Sequence, residues 1–441
     1  MNHYRKFLLF IFMFVVLFAS VTFAVPDVAK AEEDPLGINA KAAILLDAET
    51  GKILYQKNPD ELLGVASMSK MMTEYLVLEA IHNKKIRWNQ KVTIDEYIHQ
   101  LSGDTELSNI GLTQGEEYTV KELYQAMAVY SANAATVALA ELVAGSEKNF
   151  VTLMNNKAKE LGLKDYRFVN ATGLNNADLH GNISSGGPND ENVMSARATA
   201  KLAYHLINDY PEVLETAKIS KLSFRGETLE NWNKMLPGLL HEYDGVDGLK
   251  TGSTDYAGKC FTGTVVINGK RFISVVMNTA SDDARFNETR KIFNYAANNF
   301  SEEEILPKHY QVKGYKSLPV TKGKEDRVKI YTKEAIKVVT KNGEKENFEP
   351  VLVLDKKKLT KNGELTAPVK KGEKIGYVTI KPKNGKDLGF ITDDAANSIQ
   401  VDVIAAENVE KANGFVLMMR GIGGFFSDVW GSVSSAVKGW F

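Results

Sequence analysis

The chain has 441 residues, long for a single core and suited to two or three domains. Its formal net charge of −1 speaks against a nucleic-acid binder, which carries a basic excess. The single cysteine, Cys260, excludes an internal disulfide and a cysteine-built metal site. The 7 histidines show no pair at zinc-ligand spacing, so neither a metal nor another cofactor is expected.

At the N-terminus His3, Arg5 and Lys6 precede the apolar run Phe7–Ala19, and Ala29 and Ala31 frame an A-x-A site. This is the layout of a secretory signal peptide, with cleavage expected after Ala31. The uncharged stretch from Phe7 to Val25 is nearly long enough to span a bilayer as an uncleaved anchor. Either way the bulk of the protein is expected outside the cytoplasm.

Ala42–Asp47 and Ile53–Tyr55 read as two strands joined by the turn Glu49–Lys52. Pro59 and Asp60 are expected to open a helical region continued by Met71, Met72, Tyr75, Leu76 and Leu78. From about residue 80 to 240 the pattern is mainly helical. Val120–Val143 carries a polar interruption at Ser131–Asn133, and Phe150–Leu161 is a helix ended by Gly162. Gly173–Asn192, rich in Gly, Asn and Ser, reads as a long loop of the functional kind.

The period then changes. Thr264–Ile267 and Arg271–Met277 flank Asn268-Gly269, a strong hairpin signal, and Arg285–Phe300 returns to helix. Strands at both ends of a helical stretch predict one sheet with a large helical insertion. From Ile305 to Ala412, lysine-rich turns separate short β-type runs such as Val351–Leu354 and Ile375–Ile380. That piece is expected to be all-β, and its lysines read best as a solvated exterior. In Gly414–Phe441, Ile422, Phe425, Phe426, Val429, Trp430, Val433, Val437, Trp440 and Phe441 recur at three- and four-residue steps. Such a stripe suits a helix lying in the plane of a membrane surface.

Ser67-Met-Ser-Lys70 falls where a helix should begin, and residues three apart share a helix face, so the Lys70 amine is expected beside the Ser67 hydroxyl. A serine needs an adjacent base to become a nucleophile. A lysine serves only if burial or a second cation lowers its proton affinity, and Lys250-Thr251-Gly252, on a strand, offers that cation. Ser131-Ala-Asn133 supplies a hydroxyl to relay a proton and an amide to hold a peptide bond. Cys260 reads as a buried strand residue.

In this order S-x-x-K, S-x-N and K-T-G form the signature of penicillin-binding proteins and serine β-lactamases. With Ser67-Met-Ser-Lys-Met-Met-Thr73, Asn170-Ala-Thr-Gly-Leu174 and Asp247-Gly-Leu-Lys-Thr-Gly252, the chain resembles the D-alanyl-D-alanine carboxypeptidases, the low-molecular-mass penicillin-binding proteins, from about residue 40 to 300. The β-domain and amphipathic tail are an arrangement that family shares. The resemblance implies an α/β (α+β) penicillin-binding/β-lactamase-like domain: an antiparallel sheet with a helical insertion, followed by a small all-β domain and a C-terminal amphipathic helix. The expected divisions are residues 1–31 signal peptide, 32–304 catalytic domain, 305–412 β-domain and 413–441 membrane-anchoring helix.

The resemblance also implies roles. Ser67 would attack the carbonyl between two D-alanines of a peptidoglycan stem peptide, and Lys70 would take its proton. Ser131 would relay it to the leaving D-alanine, and Asn133 would bind the substrate amide. Lys250 and Thr251 would hold the terminal carboxylate or that of a β-lactam inhibitor, with the N–H groups of Ser67 and Ser253 as oxyanion hole. Arg285 matches an arginine the family places near that carboxylate, and a surface helix arginine accounts for it equally well.

Two departures stand out: Ala132 and Ala134 beside the motif asparagine, and Ser195-Ala-Arg-Ala198, where an acidic residue commonly follows the basic one. Both are expected to loosen the helical wall of the cleft. Two rivals share the acylation machinery. A serine β-lactamase needs a base for deacylation, and Asp178, Asp190 and Glu191 lie in no recognisable motif for it. An inactive penicillin sensor needs a signalling segment, for which only the N-terminus is available.

Overall fold

A computed structural model describes residues 34–383, 388–392 and 399–418. The signal segment and the aromatic stripe after Met418 lie outside the described residues. The described residues from Ile38 onward form one compact unit.

Its first layer is a five-stranded antiparallel sheet. The strands are β1 (Ala42–Asp47), β2 (Ile53–Lys57), β3 (Val246–Thr254), β4 (Gly258–Ile267) and β5 (Lys270–Thr279), in the order β3-β4-β5-β1-β2. Ala42 faces Met277 and Ile44 faces Val275, so the two ends of the catalytic region meet in one sheet as the pattern predicts. Asn268, at φ 51°, and Gly269, at φ 77°, make the tight β4–β5 turn.

The helices are α1 (Lys70–His82), α2 (Val120–Tyr130), α3 (Asn133–Ala144), α4 (Glu147–Glu160), α5 (Ala196–Asp209) and α6 (Asp282–Asn299); α5 and α6 pack on this sheet, and α1, α2, α3 and α4 pack on one another. Their caps are legible chemistry. Thr119 and Glu122 form a reciprocal capping box at α2, and Gly145, at φ 76°, ends α3. One core binds sheet and helices, with Ile44, Leu46, Met72, Leu123, Leu139, Phe150 and Leu202 all within 0% of solvent exposure.

Two expectations need correction. No helix opens at Pro59–Asp60; the chain makes a turn there, and Leu63–Gly64 pairs with Val193–Met194 before a 3-10 turn, Ala66–Ser69, leads into α1. The mainly helical stretch also contains a hairpin, Lys221–Phe224 with Glu227–Glu230, turned at Arg225-Gly226.

The C-terminal region is built of strands, as expected. β6 (Phe300–Leu306) follows α6 directly and pairs with β9 (Ile336–Lys341). β7 (Ser317–Thr321), β8 (Arg327–Thr332), β10 (Phe348–Leu354), β11 (Lys374–Pro382) and β12 (Val401–Ala405) join the short strand Leu365–Thr366 in a six-stranded sheet. Val328, Ile330, Val338, Ile375, Val378 and Val403 fill a second core. A return segment ties this region to the first sheet: Gly389 accepts from Ile53 N at 2.9 Å and Ile391 N donates to Gly51 at 2.8 Å. No described helix is long and apolar enough to cross a membrane.

Candidate active site

The site forms where the Ala66–Ser69 turn, the α2–α3 junction and strand β3 converge. Ala66 sits at φ +45°, costly for a residue with a Cβ, and turns the chain so that the next residue, Ser67, is partly exposed among buried neighbours. β3 comes close enough that a Cβ on Gly252 would stand 2.5 Å from the Val65 carbonyl oxygen and 3.2 Å from Met68 N. Only glycine allows that approach.

Lys70 is fully buried, its Nζ 2.9 Å from Ser67 Oγ, 2.8 Å from Asn133 Oδ1 and 2.7 Å from the Thr172 carbonyl oxygen, so the neutral amine can donate to the last two and accept from the Ser67 hydroxyl. Burial holds its proton affinity well below the ordinary lysine value, and Lys250 lowers it further, while Glu74 acts in the opposite sense. Lys250, 3% exposed, is itself lowered to about 8 by burial. The expected pairing of Ser67 with a lysine of depressed basicity near a second cation is therefore present in the geometry.

Ser131 ends α2 in the left-handed region, at φ 62°, and its hydroxyl is buried without a hydrogen-bond partner among the described residues. Buried hydroxyls are normally paired, so an unpaired one at a cleft is held for something else. Asn133 opens α3; its Nδ2 donates to the Ser108 carbonyl at 2.9 Å, which fixes the amide so that Oδ1 faces Lys70. Thr251 is buried beside Lys250, whose Nζ donates to the Thr251 carbonyl at 3.3 Å. Ser253 is exposed on the same strand and its Oγ accepts from Lys259 at 2.6 Å.

Arg285 is not a surface residue. It is 3% exposed, its Nη1 donates to the Gly252 carbonyl at 3.3 Å, and its Nη2 lies 2.8 Å from Asp282. Its Nε is buried without a partner among the described residues. It thus ties α6 to the K-T-G strand. Cys260 is buried on β4, and burial pushes its thiol up to about 11.

Several contributors were not singled out in the sequence. The Thr172 carbonyl reaches Lys70 because Asn170 folds its loop, accepting on Oδ1 from Thr172 N at 3.1 Å, Thr172 Oγ1 at 3.0 Å and Gly173 N at 2.7 Å. Asn192 closes the loop by accepting from Val169 N at 2.6 Å and donating to the Asn170 carbonyl at 2.9 Å. The Asn170–Leu174 motif was the available signal. Glu74, buried on α1, is a further one, signalled by a carboxylate four residues past Lys70 among the apolar Met71, Met72, Tyr75 and Leu76.

The departures are absorbed locally rather than loosening the wall. Ala132 and Ala134 are fully buried, and Asn109 Oδ1 takes the Ala134 N–H at 3.0 Å. Ser195 caps α5, and Arg197 finds its acidic partner in Asp60, 2.6 Å away. Of the loop carboxylates, Glu191 accepts from Thr254 Oγ1 at 2.7 Å and Asp190 pairs with Arg167 at 3.1 Å. Among the described residues no cluster of three or more His, Cys, Asp or Glu side chains stands ready to hold a metal.

Known proteins share this sequence and fold. Residues 28–281 match the family model described as D-alanyl-D-alanine carboxypeptidase, and residues 300–411 match the one described as Penicillin-binding protein 5, C-terminal domain. D-alanyl-D-alanine carboxypeptidase DacF of Bacillus subtilis is 35% identical over 365 residues, covering 83% of this chain and 87% of that protein. A peptidoglycan synthesis regulatory factor, PBP3, from Streptococcus pneumoniae superposes with a TM-score of 0.71 at 37% identity, over 84% of this chain and 99% of that one. Penicillin-Binding Protein D2 from Listeria monocytogenes in its ampicillin-bound form gives a TM-score of 0.50 at 35% identity, over 59% of this chain and 98% of that one.

Proposed function

This chain belongs to the D-alanyl-D-alanine carboxypeptidase family, a family of serine peptidases, and we propose that it removes the terminal D-alanine from peptidoglycan stem pentapeptides through an acyl-enzyme on Ser67. The observation that carries this reading is the 2.9 Å contact between Ser67 Oγ and the amine of a fully buried, cation-flanked Lys70.

In this account the neutral Lys70 amine takes the Ser67 proton as Oγ bonds to the carbonyl carbon between the two D-alanines. The oxyanion rests on the N–H groups of Ser67 and Ser253. The proton then passes from Lys70 through Ser131 Oγ to the nitrogen of the terminal D-alanine, and the C–N bond breaks to leave an ester. Water, activated through Lys70, hydrolyses that ester and restores the serine. Asn133 holds a substrate amide, and Lys250 and Thr251 hold the terminal carboxylate, with Arg285 bracing their strand. A β-lactam follows the first half of the path, its ring nitrogen serving as the leaving group, and remains as an ester. The ampicillin-bound relative supports that part of the reading.

The wider setting follows from the two ends of the chain. In this reading the 1–31 segment serves as an export signal and the aromatic pattern of 413–441 as a membrane anchor, so the enzyme works at the outer face of the cytoplasmic membrane in cell-wall biogenesis. The aromatic stripe of Gly414–Phe441 supports the attachment.

Free D-alanine, assayed after incubation of the mature protein with a peptide ending in D-Ala-D-Ala, tests the activity. Release that disappears in Ser67→Ala is expected. A protein that is labelled by penicillin yet releases none is a scaffold or sensor instead. Removing 414–441 from the signal-cleaved protein should free it from membranes with activity intact; continued attachment refutes the anchor.

A further inference from the structure

The hydroxyl of Ser131 has no hydrogen-bond partner among the described residues, so the backbone alone sets its place. That backbone is costly, since φ is 62°, in the left-handed region, for a residue with a Cβ. Two bonds hold it from α2 itself: Ser131 N donates to the Ala126 carbonyl, and Ala132 N donates to the same oxygen at 3.1 Å. A third comes from outside the helix. Trp232 Nε1 donates to the Tyr130 carbonyl at 2.9 Å. Tyr130 is the last residue of α2, and the last carbonyls of a helix have no partner within it. Trp232 therefore grips the peptide plane that directly precedes the relay serine.

The indole is itself firmly held. It follows the hairpin Lys221–Glu230, which packs on α2. Asn231 and Asn233, on either side of it, are 3% and 1% exposed. Asn231 Nδ2 donates to the Ile219 carbonyl at 2.9 Å, and its Oδ1 accepts from Asn233 N at 2.8 Å. Asn233 Nδ2 donates to the Gly248 carbonyl at 3.2 Å, on β3 two residues before Lys250. Lys234 Nζ lies 5.7 Å from the indole centroid and pairs with Glu230 at 2.6 Å. The segment 231–233 thus joins the strand that carries Lys250 to the helix break that carries Ser131. The ring is 36% exposed, so apolar burial accounts poorly for a tryptophan here; its N–H is what reaches the site.

We propose that Trp232 is a positioning residue for the proton relay: its indole N–H holds the Tyr130–Ser131 peptide so that Ser131 Oγ can protonate the departing amine. The proposal rests on the reading that Ser131 relays the proton from Lys70. As the C–N bond breaks, Ser131 Oγ–H gives its proton to the D-alanine nitrogen and takes another from the Lys70 ammonium. An amide nitrogen does not leave without that proton. A thiolate does, because its thiol has a pKa of only about 8.5. Loss of the indole N–H therefore slows an amide substrate and spares a thioester of the same acyl group.

The test compares kcat/KM of the full mature chain on two substrates. One is a peptide ending in D-Ala-D-Ala, followed by release of D-alanine. The other is the thioester in which 2-mercaptopropionate replaces the terminal D-alanine, followed by release of thiol. In Trp232→Phe, which keeps a ring but has no donor, the amide rate should fall about tenfold and the thioester rate should stay within about twofold. The loss is smaller than the 10²–10⁴-fold range of general acid catalysis, because the hydroxyl is displaced and not removed. Ser131→Ala should show a larger loss on the amide and the same sparing of the thioester. Adding Trp232→Phe to Ser131→Ala should cost nothing further on the amide, since the indole acts through that hydroxyl.

An equal loss on both substrates, or a loss that adds in full to that of Ser131→Ala, is the mark of a merely structural tryptophan and overturns the proposal. So does a Trp232→Phe that matches the wild type on the amide. Ser131→Ala, read with the indole intact, tests the underlying relay separately: equal slowing of both substrates there overturns the relay and the proposal with it. A thermal melt shows whether each variant is folded, and Trp232→Leu carries the same comparison should Trp232→Phe not fold.

Discussion

Replacing Gly252 by alanine perturbs the site without touching any group that exchanges a proton or a bond. The new Cβ would stand 2.5 Å from the Val65 carbonyl oxygen and 3.2 Å from Met68 N and Met68 Cγ. Ordinary contact begins near 3.4 Å, so β3 and the Ser67 turn must separate by about 1 Å. That separation moves the Ser253 N–H relative to Ser67, and a misplacement of about 1 Å costs roughly 10²-fold in rate. On the transition-state scale this is about 2.7 kcal/mol, and the overpacking itself costs about 1–3 kcal/mol of stability. The assay is the second-order acylation rate by a fluorescent penicillin, with a thermal melt to show that the variant is folded at the assay temperature. Gly111→Ala, where nothing lies within 4 Å of the added carbon, is the control and should behave as wild type. A folded Gly252→Ala that acylates within about threefold of wild type would refute the argument that this close approach assembles the oxyanion cradle.

Three further outcomes follow from named contacts. Lys70→Met removes the base while nearly conserving volume, and acylation should fall by about 10²–10⁴-fold; a variant within tenfold of wild type, measured the same way, would assign the base elsewhere. Asn170→Ala abolishes the bonds that fold the Thr172 loop, and leaving two or more buried donors unpaired should cost about 2–4 kcal/mol in a denaturation curve and slow acylation as the Thr172 carbonyl leaves Lys70. Unchanged values of both would show that the loop is held by other means. Glu141 is half-buried, and burial raises its carboxyl to about 6, with Asp95 and Glu147 adding to the effect. Because the folded value lies above the ordinary 4.5, this group's contribution to stability is intact below that value and is lost as pH rises through the folded one. Glu141→Gln should therefore raise the melting temperature at pH 7.5 and leave it unchanged at pH 4. A gain of equal size at both would point to packing instead.

Much of the catalytic frame was legible because its signals are local. Asn268-Gly269 names its own turn, the polar Ser131–Asn133 marks the break between two helices, and the K-T-G glycine predicts a close approach. The misread stretches depend on distant partners. Leu63–Gly64 is a strand only because Val193–Met194 lies beside it, and nothing in Pro59–Gly64 announces that pairing. The hairpin at Lys221–Glu230 was hidden by a polar, charge-rich sequence that a helical period tolerates. Within the site, side chains with a chemical role stood out, but backbone contributors did not. The Thr172 carbonyl and the φ of Ala66 belong to no residue type, and they emerge only when Asn170, Asn192 and Lys70 are brought together. Arg285 shows the same limit: its helix and number were readable, but its burial and its bond to the Gly252 carbonyl were not.

The central claim is that Ser67 is the acylated residue. Mass spectrometry of the penicillin-treated mature chain after tryptic digestion reads it directly. One penicilloyl group on Ser67, within the peptide Asn58–Lys70, is the predicted result, and it should disappear in Ser67→Ala. An adduct on another residue, or none on a folded protein, would contradict it.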